Sequence, residues 1–282
     1  MQVNPFHCYH PGLRKPLPGT LFARNLVERR SLILQLVKRD FHQRYVGSAA
    51  GWLWGLIHPI VLLAVYTFIF SICLHQKLGP DQVTTSYPLF LFAGMLPWLL
   101  FSECVQRSAG SLVEQANLIT KTVFPAEIVP VSIYLSSAIS HLLALALAIV
   151  AAGIWQHHLN PFLLLLPLLL LFLGMFAVGI GWISSALHVY LRDTAQIIQV
   201  ILTFWWWITP IFLTESQFPV WARFVLTGNP LAFFVRAYRM ILLGTQAPAA
   251  GDLIAIAAYS TATFVSGGLF FRYLKKGFAD VL

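Results

Sequence analysis

The sequence predicts an all-α, polytopic membrane protein, and its composition and the spacing of its apolar stretches support that prediction. Hydrophobic residues make up 58% of the 282 residues and charged residues only 10%, whereas a soluble domain has roughly 25% charged residues. The mean hydropathy is +0.75. This composition excludes an ordinary water-soluble domain, and it also excludes a disordered chain, which needs low hydrophobicity and high charge.

Six apolar stretches are each long enough to cross the hydrocarbon core of a bilayer, which takes about 20 residues. Of the 18 lysines and arginines, only Lys77, Arg223, Arg236 and Arg239 fall in segments that are then external. The positive-inside rule therefore predicts a multi-pass protein with both termini in the cytoplasm. The predicted spans are 53–74, 87–105, 128–155, 162–187, 195–213 and 253–273.

The residues before the first span divide into two parts. Residues 1–30 contain several prolines and predict an irregular tail. Residues 31–46 carry apolar side chains three or four apart, among them Ile33, Leu34 and Val37, which predicts an amphipathic interface helix on the cytoplasmic surface. We interpret this helix either as an anchor alone or as an anchor that also contacts a cytoplasmic partner. Residues 47–282 form the predicted transmembrane domain.

Two segments between the spans have helical signals of their own. In the cytoplasmic loop 106–127, a short helix is predicted to end before Pro125, as a connector or a docking element. The external region of about 214–250 contains Asn229 and Pro230, which suit an N-cap and a first helical position. The apolar residues 231–243 that follow are too few to cross a membrane, so they predict a re-entrant or interfacial helix.

The fifth predicted span carries polar and aromatic residues on one helical face, with further tryptophans beside it. One interpretation is packing between helices that is strengthened by polar contacts. The other is the wall of a path for a sugar, because sugar rings stack on aromatic rings and bond to amides and hydroxyls. The residues assigned to this path are Gln196, Gln199, Thr203, Trp205, Trp206 and Trp207.

Tryptophans toward the predicted span ends, Trp98 and Trp182 among them, are interpreted as anchors in the headgroup region. The sequence has no glycine–lysine pair and hence no phosphate-binding P-loop, and it has no sequence motif of a hydrolase or of a metal site. Its basic residues cluster beside the apolar stretches, which favours membrane topology over nucleic-acid binding. A transport role is therefore favoured over catalysis.

Four stretches in order, 36–60, 92–130, 188–211 and 229–244, resemble the permease of type-2 ABC transporters. The first contains an R-Y-x-G-S sequence that leads from the basic helix into the first span, and the last begins with N-P-L. The similarity is to the branch that exports polysaccharides, such as O-antigen, capsule and teichoic acid. An exporter of a drug or a lipid from the same superfamily is the alternative, and a membrane glycosyltransferase or acyltransferase is a weaker one.

The resemblance implies a homodimer in the bacterial inner membrane, surrounded by lipid and joined by two ATP-binding subunits. The substrate it implies is a polysaccharide linked to polyprenyl diphosphate. The chain itself is expected to need no cofactor, since ATP and magnesium bind to the partner ATPase, and no nucleic acid is expected. The implied contacts are the lipid diphosphate at Lys38, Arg39 and Arg44, the ATPase at Glu114, Asn117 and Lys121, and an external gate at Asn229, Pro230, Arg236 and Arg239.

Overall fold

The computed structural model describes residues 29–76, 78, 83–121, 124–157 and 160–281, and within these ranges it contains helices and no strand. The predicted N-terminal tail lies almost wholly outside the described residues. The α-helices are α1 Arg30–Tyr45, α2 Trp54–Tyr66, α3 Tyr87–Glu114, α4 Ala116–Lys121, α5 Ile128–Gln156, α6 Leu166–Tyr190, α7 Thr194–Ile208, α8 Arg223–Gly228, α9 Pro230–Leu243, α10 Ala250–Leu274 and α11 Phe278–Val281.

Five helical segments of the described chain are long and apolar enough to cross a membrane. In three of them π-helical or 3₁₀ segments extend an α-helix: α2 is preceded by Gly51–Leu53 and continues to Cys73, α6 is preceded by Pro161–Leu165, and α10 continues to Gly277. The spanning segments are Gly51–Cys73, Tyr87–Glu114, Ile128–Gln156, Pro161–Tyr190 and Ala250–Gly277.

The fifth predicted span, 195–213, does not form one continuous helix. Helix α7 has 15 residues, which gives a length of about 22 Å, and that is short of the roughly 30 Å hydrocarbon core. The helix ends because Thr209 precedes Pro210 and has an extended backbone (φ −81°, ψ 135°), as expected of a residue before proline. A count of six full spans therefore stays a prediction.

Helix α3 forms the centre of the bundle. In its most apolar window 72% of the residues are buried, compared with 6% for the segment that contains α2 and 17% for the one that contains α10. Phe90, Met95 and Phe101 of α3 are fully buried. Helices α2 and α10 instead present apolar side chains outward, as expected of helices that contact lipid or another subunit.

Helix α1 does not lie isolated on a surface. Ile33, Leu36 and Val37 are buried against Ile128 at the start of α5, whereas Leu34, which was predicted on the apolar face, is 65% exposed. Packing explains the difference, since α1 buries the apolar side chains that contact the start of α5. The short helix α4 follows α3 directly, because α3 continues to Glu114, beyond the predicted end of the second span.

Polar contacts gather at two opposite ends of the bundle, which we call the α1 end and the α9 end. The α1 end comprises α1, the α3–α4 junction, the start of α5 and the C-terminal residues, and there Lys275 forms an ion pair with Glu127. The α9 end comprises α9, the segment after α7 and the first turns of α3 and α10. Helix α1 and the C-terminal residues therefore lie at the same end of the bundle.

Candidate functional site

A groove of about 390 Å³ runs between α2, α3 and α7, and aromatic rings line much of it. Tyr66 of α2 lies with its ring centroid 6.0 Å from that of Trp206. Phe212, beyond the end of α7, stacks on Trp207 with centroids 5.3 Å apart. The groove residues are Leu62, Tyr66, Trp98, Leu99, Ser102, Gln106, Gln199, Leu202, Thr203, Trp206 and Trp207.

Four of the six residues assigned to the path line this groove, namely Gln199, Thr203, Trp206 and Trp207. Gln196 is exposed on the same helix, one turn nearer its N-terminus. Trp205 is different, because its indole Nε1 donates a hydrogen bond to Asn229 Oδ1 at 2.8 Å and its ring packs on interior aromatic rings. The helical period leaves Gln196, Gln199, Thr203 and Trp207 exposed and Trp206 half-buried in the groove, and it turns Trp205 inward.

The sequence did not predict seven of the eleven groove residues, among them Tyr66, Gln106 and Trp98. Neither Tyr66 nor Gln106 had a distinguishing motif, because Tyr66 lies within a long apolar run and Gln106 lies at the start of a polar loop. Trp98 was interpreted as a headgroup anchor, but it is only 4% exposed and its ring lies 5.4 Å from that of Trp206. Trp182, given the same interpretation, is fully buried and donates to the Glu127 carbonyl. The signal was ambiguous because tryptophan suits both a headgroup region and a helix interface.

The three basic residues assigned to a lipid diphosphate do not share one face of α1. Lys38 and Arg39 are exposed, and Arg39 donates to Gln115 Oε1 at 3.3 Å. Arg44 lies about 140° from Arg39 around the helix axis, and it forms a 2.6 Å ion pair with Glu103 of α3. The structure therefore brings Lys38 and Arg39 to the surface and engages Arg44 inside the bundle.

A second ion pair links α1 to α3 beside the first. Arg107 Nη2 lies 2.6 Å from Asp40 Oδ1. Burial raises the pKa of the Asp40 carboxyl, but the hydrogen bond from Arg107 and the positive charges of Arg107 and Arg44 outweigh it, so the pKa lies below its ordinary value. Two positive and two negative groups therefore join α1 to α3 with no net charge.

The three residues assigned to ATPase contact lie on exposed surface at the α1 end. Glu114 is the last residue of α3, and Asn117 and Lys121 belong to α4. A cavity of about 280 Å³ separates this segment from α1, with Arg39 and Asp40 on one side and Glu114 and Asn117 on the other. The helix with the exposed basic residues therefore adjoins the surface assigned to the partner.

Asn229 and Pro230 start α9 as the sequence predicts. The Asn229 side chain accepts a hydrogen bond from the Leu231 N–H, and proline takes the first helical position. Asn229 also donates to Thr209 Oγ1 at 3.1 Å and accepts the bond from Trp205. One amide thus caps α9 and fastens it to the end of α7.

The two arginines assigned to an external gate have different surroundings. Arg236 is partly exposed and forms ion pairs with Glu215 at 2.7 Å and Asp252 at 2.8 Å. Arg239 is only 7% exposed. It donates to the carbonyls of Phe90, Pro210 and Ile211, at 3.2, 2.7 and 2.7 Å. The helix break at Pro210 frees these last two carbonyls, and Arg239 satisfies them.

The described residues contain no group of three or more histidine, cysteine or acidic side chains that could hold a metal ion. The candidate site is therefore a groove of aromatic, amide and hydroxyl groups. The ion pairs between α1 and α3 lie at one end of it, and helix α9, which is held by Asn229 and Arg239, lies at the other. Such a lining can bind and guide a polar, ring-bearing molecule.

Comparison with known proteins agrees with this picture. The family model described as ABC-2 type transporter matches residues 31–243. The O-antigen export system permease protein RfbA of Myxococcus xanthus is 29% identical over 260 residues, which cover 92% of this chain and 98% of that protein. RfbA of Klebsiella pneumoniae is 26% identical over 215 residues, 75% of this chain and 80% of that protein.

A further relative is the polysialic acid transport protein KpsM of Escherichia coli, which is 24% identical over 240 residues, 84% of this chain and 91% of that protein. The family match covers most of the chain, including α1 and the groove helices α2, α3 and α7, and it ends at the last residue of α9. The chain therefore belongs to the ABC-2 type transporter membrane family.

Proposed function

We propose that this chain is the permease subunit of a polysaccharide exporter, and that its substrate is an O-antigen-like polymer linked to polyprenyl diphosphate. The observation that supports this most directly is the groove of aromatic, amide and hydroxyl side chains between α2, α3 and α7. The relatives are named as permeases of O-antigen export and as polysialic acid transport proteins, which favours a glycan over a drug or a lipid.

ATP hydrolysis then takes place in a separate subunit, and the permease works as a homodimer with two such subunits in the bacterial inner membrane. Magnesium and ATP bind to that partner. Helix α4 and the end of α3 form the docking surface, through Glu114, Asn117 and Lys121. These side chains are exposed, so they are free of the packed interior and accessible to another protein.

Lys38 and Arg39 are the preferred contacts for the lipid diphosphate, because both are exposed and Arg and Lys pair well with phosphate. Arg44 contributes to the same region by fixing α1 to α3 through Glu103. The polymer then follows the aromatic groove, where stacking on successive rings allows sliding without one deep binding well. Helix α9 and its flanking segments form the external gate.

Deletion of the gene in its host tests the proposal, with lipid-linked glycan measured on each face of the cytoplasmic membrane. Full-length polymer is expected to accumulate on the cytoplasmic face while its surface form is lost. Restoration by a plasmid copy is the control. Absence of polymer would instead indicate a synthetic enzyme, and normal surface polymer would favour export of a drug or a lipid.

The docking surface has its own test. The variant Glu114→Ala/Lys121→Ala is expected to reduce co-purification of the ATPase subunit while leaving the permease folded, since both side chains are exposed. The matched control is Arg192→Ala/Asp193→Ala, another exposed pair of opposite charge, between α6 and α7. Equal recovery of the ATPase with both variants would contradict the assignment.

A further inference from the structure

A second cavity, of about 440 Å³, lies beside the aromatic groove at the α1 end. The two cavities share Leu99, Ser102 and Gln106 of α3, so they are neighbours along one side of that helix. Helix α2 borders both, with His58 and Pro59 at the second cavity and Tyr66 at the groove. A molecule that entered at the α1 end would meet the second cavity first.

Hydroxyl groups form one wall of this second cavity. Tyr45 Oη and Ser140 Oγ lie 3.1 Å apart. Arg44 donates to Ser140 Oγ at 3.4 Å and to Ser137 Oγ at 3.1 Å, and Ser137 donates to Glu103 at 3.0 Å. Guanidinium, hydroxyl and carboxylate groups therefore face one space, which is the mixture of donors and acceptors that the hydroxyls of a sugar can join.

The opposite wall belongs to α2 and adds aromatic groups. Trp54 is 51% exposed and His58 is also exposed, and both line the cavity. Gly55 lies between them, and a side chain there would come within 3.1 Å of Ser140 and 3.3 Å of Tyr45 Oη. Glycine thus lets α2 approach the hydroxyl wall closely, and the indole and imidazole rings stay at the rim.

The balance of charge decides which ligand suits this cavity. Arg44 is paired with Glu103, and Arg107 with Asp40. A phosphate would have to compete with Glu103 for Arg44 and would lie beside a carboxylate, which is unfavourable. A neutral sugar meets no such repulsion, because its hydroxyls add hydrogen bonds to groups whose charges are already compensated. The volume also falls within the roughly 300–1,000 Å³ of small-molecule sites.

We infer that the cavity between α1, α2, α3 and α5 is a saccharide-binding subsite, which holds sugar residues of the exported polymer before they enter the aromatic groove. This inference rests on the proposed function. It assigns two separate contacts to the α1 end. The exposed Lys38 and Arg39 bind the diphosphate, and the ion-paired and hydroxyl side chains of the cavity bind the glycan.

Photo-cross-linking tests the subsite in inverted membrane vesicles from a strain whose partner ATPase is catalytically inactive, so that lipid-linked glycan remains in the membrane. Trp54 is replaced by p-benzoylphenylalanine, and adducts are detected with serum against the host glycan. The expected result is a glycan adduct at position 54.

Two matched variants separate binding from packing. Tyr45→Phe/Ser140→Ala removes two hydroxyls from the wall and keeps the ion pair between Arg44 and Glu103. It is expected to lower the adduct yield about ten-fold, because two hydrogen bonds to the sugar are lost. The control Tyr190→Phe/Ser111→Ala removes two bonded hydroxyls outside the cavity and is expected to leave the yield unchanged.

Each other result overturns the subsite. No adduct at position 54, in vesicles that hold the glycan, refutes it and leaves the proposed function intact. An unchanged yield with Tyr45→Phe/Ser140→Ala, or an equal loss with the control, removes the role of the hydroxyl wall. If gene deletion leaves surface polymer normal, the proposed function fails and the subsite fails with it.

Discussion

The two ends of the bundle hold arginines inside protein in different ways. At the α1 end, Arg44 and Arg107 are partly exposed and each contacts a carboxylate of another helix. At the α9 end, Arg239 is buried and bonds to three backbone carbonyls, with its guanidinium 3.5 Å from the centre of the Phe90 ring. A pair of charges near water can separate and re-form, whereas a buried cation among fixed carbonyls cannot move without leaving them unsatisfied.

We therefore expect the ion pairs at the α1 end to rearrange more readily than the hydrogen bonds of Arg239 to the backbone carbonyls. The same difference also distinguishes the two arginines assigned to the external gate. Arg236 resembles the α1 arginines, since it is partly exposed and paired with Glu215 and Asp252. If the gate moves, we expect Arg236 to change partners and Arg239 to keep them.

The largest effect is expected from Arg239→Met. Removing the guanidinium leaves three carbonyls without this donor, and the free energy of unfolding is expected to fall by about 3–5 kcal/mol. Thermal unfolding of the detergent-solubilised protein measures the change. Arg272→Met, at an exposed position of α10, is the control. A melting temperature equal to that of wild type would show that the carbonyls do not need Arg239.

Trp205 and Trp207 lie two residues apart and should behave differently. Trp205→Ala removes an interior ring and the bond to Asn229, so a loss of stability of about 3 kcal/mol is expected. Trp207 is 58% exposed, so Trp207→Ala is expected to slow export at nearly unchanged stability. Thermal unfolding and the rate of appearance of surface polymer measure the two effects. Equal loss of stability in both variants would contradict this division.

Gly94 tests the packing of α3 against Arg239 at the α9 end. A side chain there would lie 2.6 Å from Arg239 Nη2, so Gly94→Ala is expected to destabilise the protein by about 1–3 kcal/mol through overpacking. In the Arg239→Met background, Gly94→Ala should cause little further loss of stability, because the clashing Nη2 atom is absent. Gly251→Ala, where an added side chain meets nothing within 4 Å, is the control. Additive effects of the two substitutions would refute the contact.

The smallest effect is expected from Asp40→Asn, at about 1 kcal/mol near pH 7, because the ion pair is partly exposed. The folded-state pKa of Asp40 lies below the ordinary 3.8. Its contribution to stability is therefore present above that value and is lost as pH falls through the lower, folded pKa. The asparagine variant should lose this part of the acid sensitivity. Unfolding measured from pH 6 to pH 3 checks this, and identical profiles would exclude a role for Asp40.

Much of the fold follows from sequence patterns alone. The apolar length of the spans and the position of the lysines and arginines are local properties, so they predicted the helices and the sidedness without knowledge of packing. Asn229 and Pro230 predicted the start of α9 for the same reason, since capping involves only neighbouring residues. Pro210 carried a signal for the end of α7 that the apolar pattern obscured.

The candidate site could be predicted only in part. The period of α7 grouped Gln199, Thr203 and Trp206 on one face, and the groove contains all three. The same pattern gave no sign that Trp205 turns inward or that Tyr66 and Gln106 complete the wall. Those assignments depend on which helices become neighbours.

The sequence by itself determined the class of protein, the helical segments and the surplus of positive charge at one side, because hydropathy, length and capping act within a few residues. Only the tertiary structure decided which group each charged side chain contacts. Arg44 pairs with Glu103 and Arg239 donates to backbone carbonyls, although both are arginines next to a tyrosine in the sequence. The physical reason is that a buried polar group takes the partner that packing supplies, and those partners lie 28 to 149 residues away.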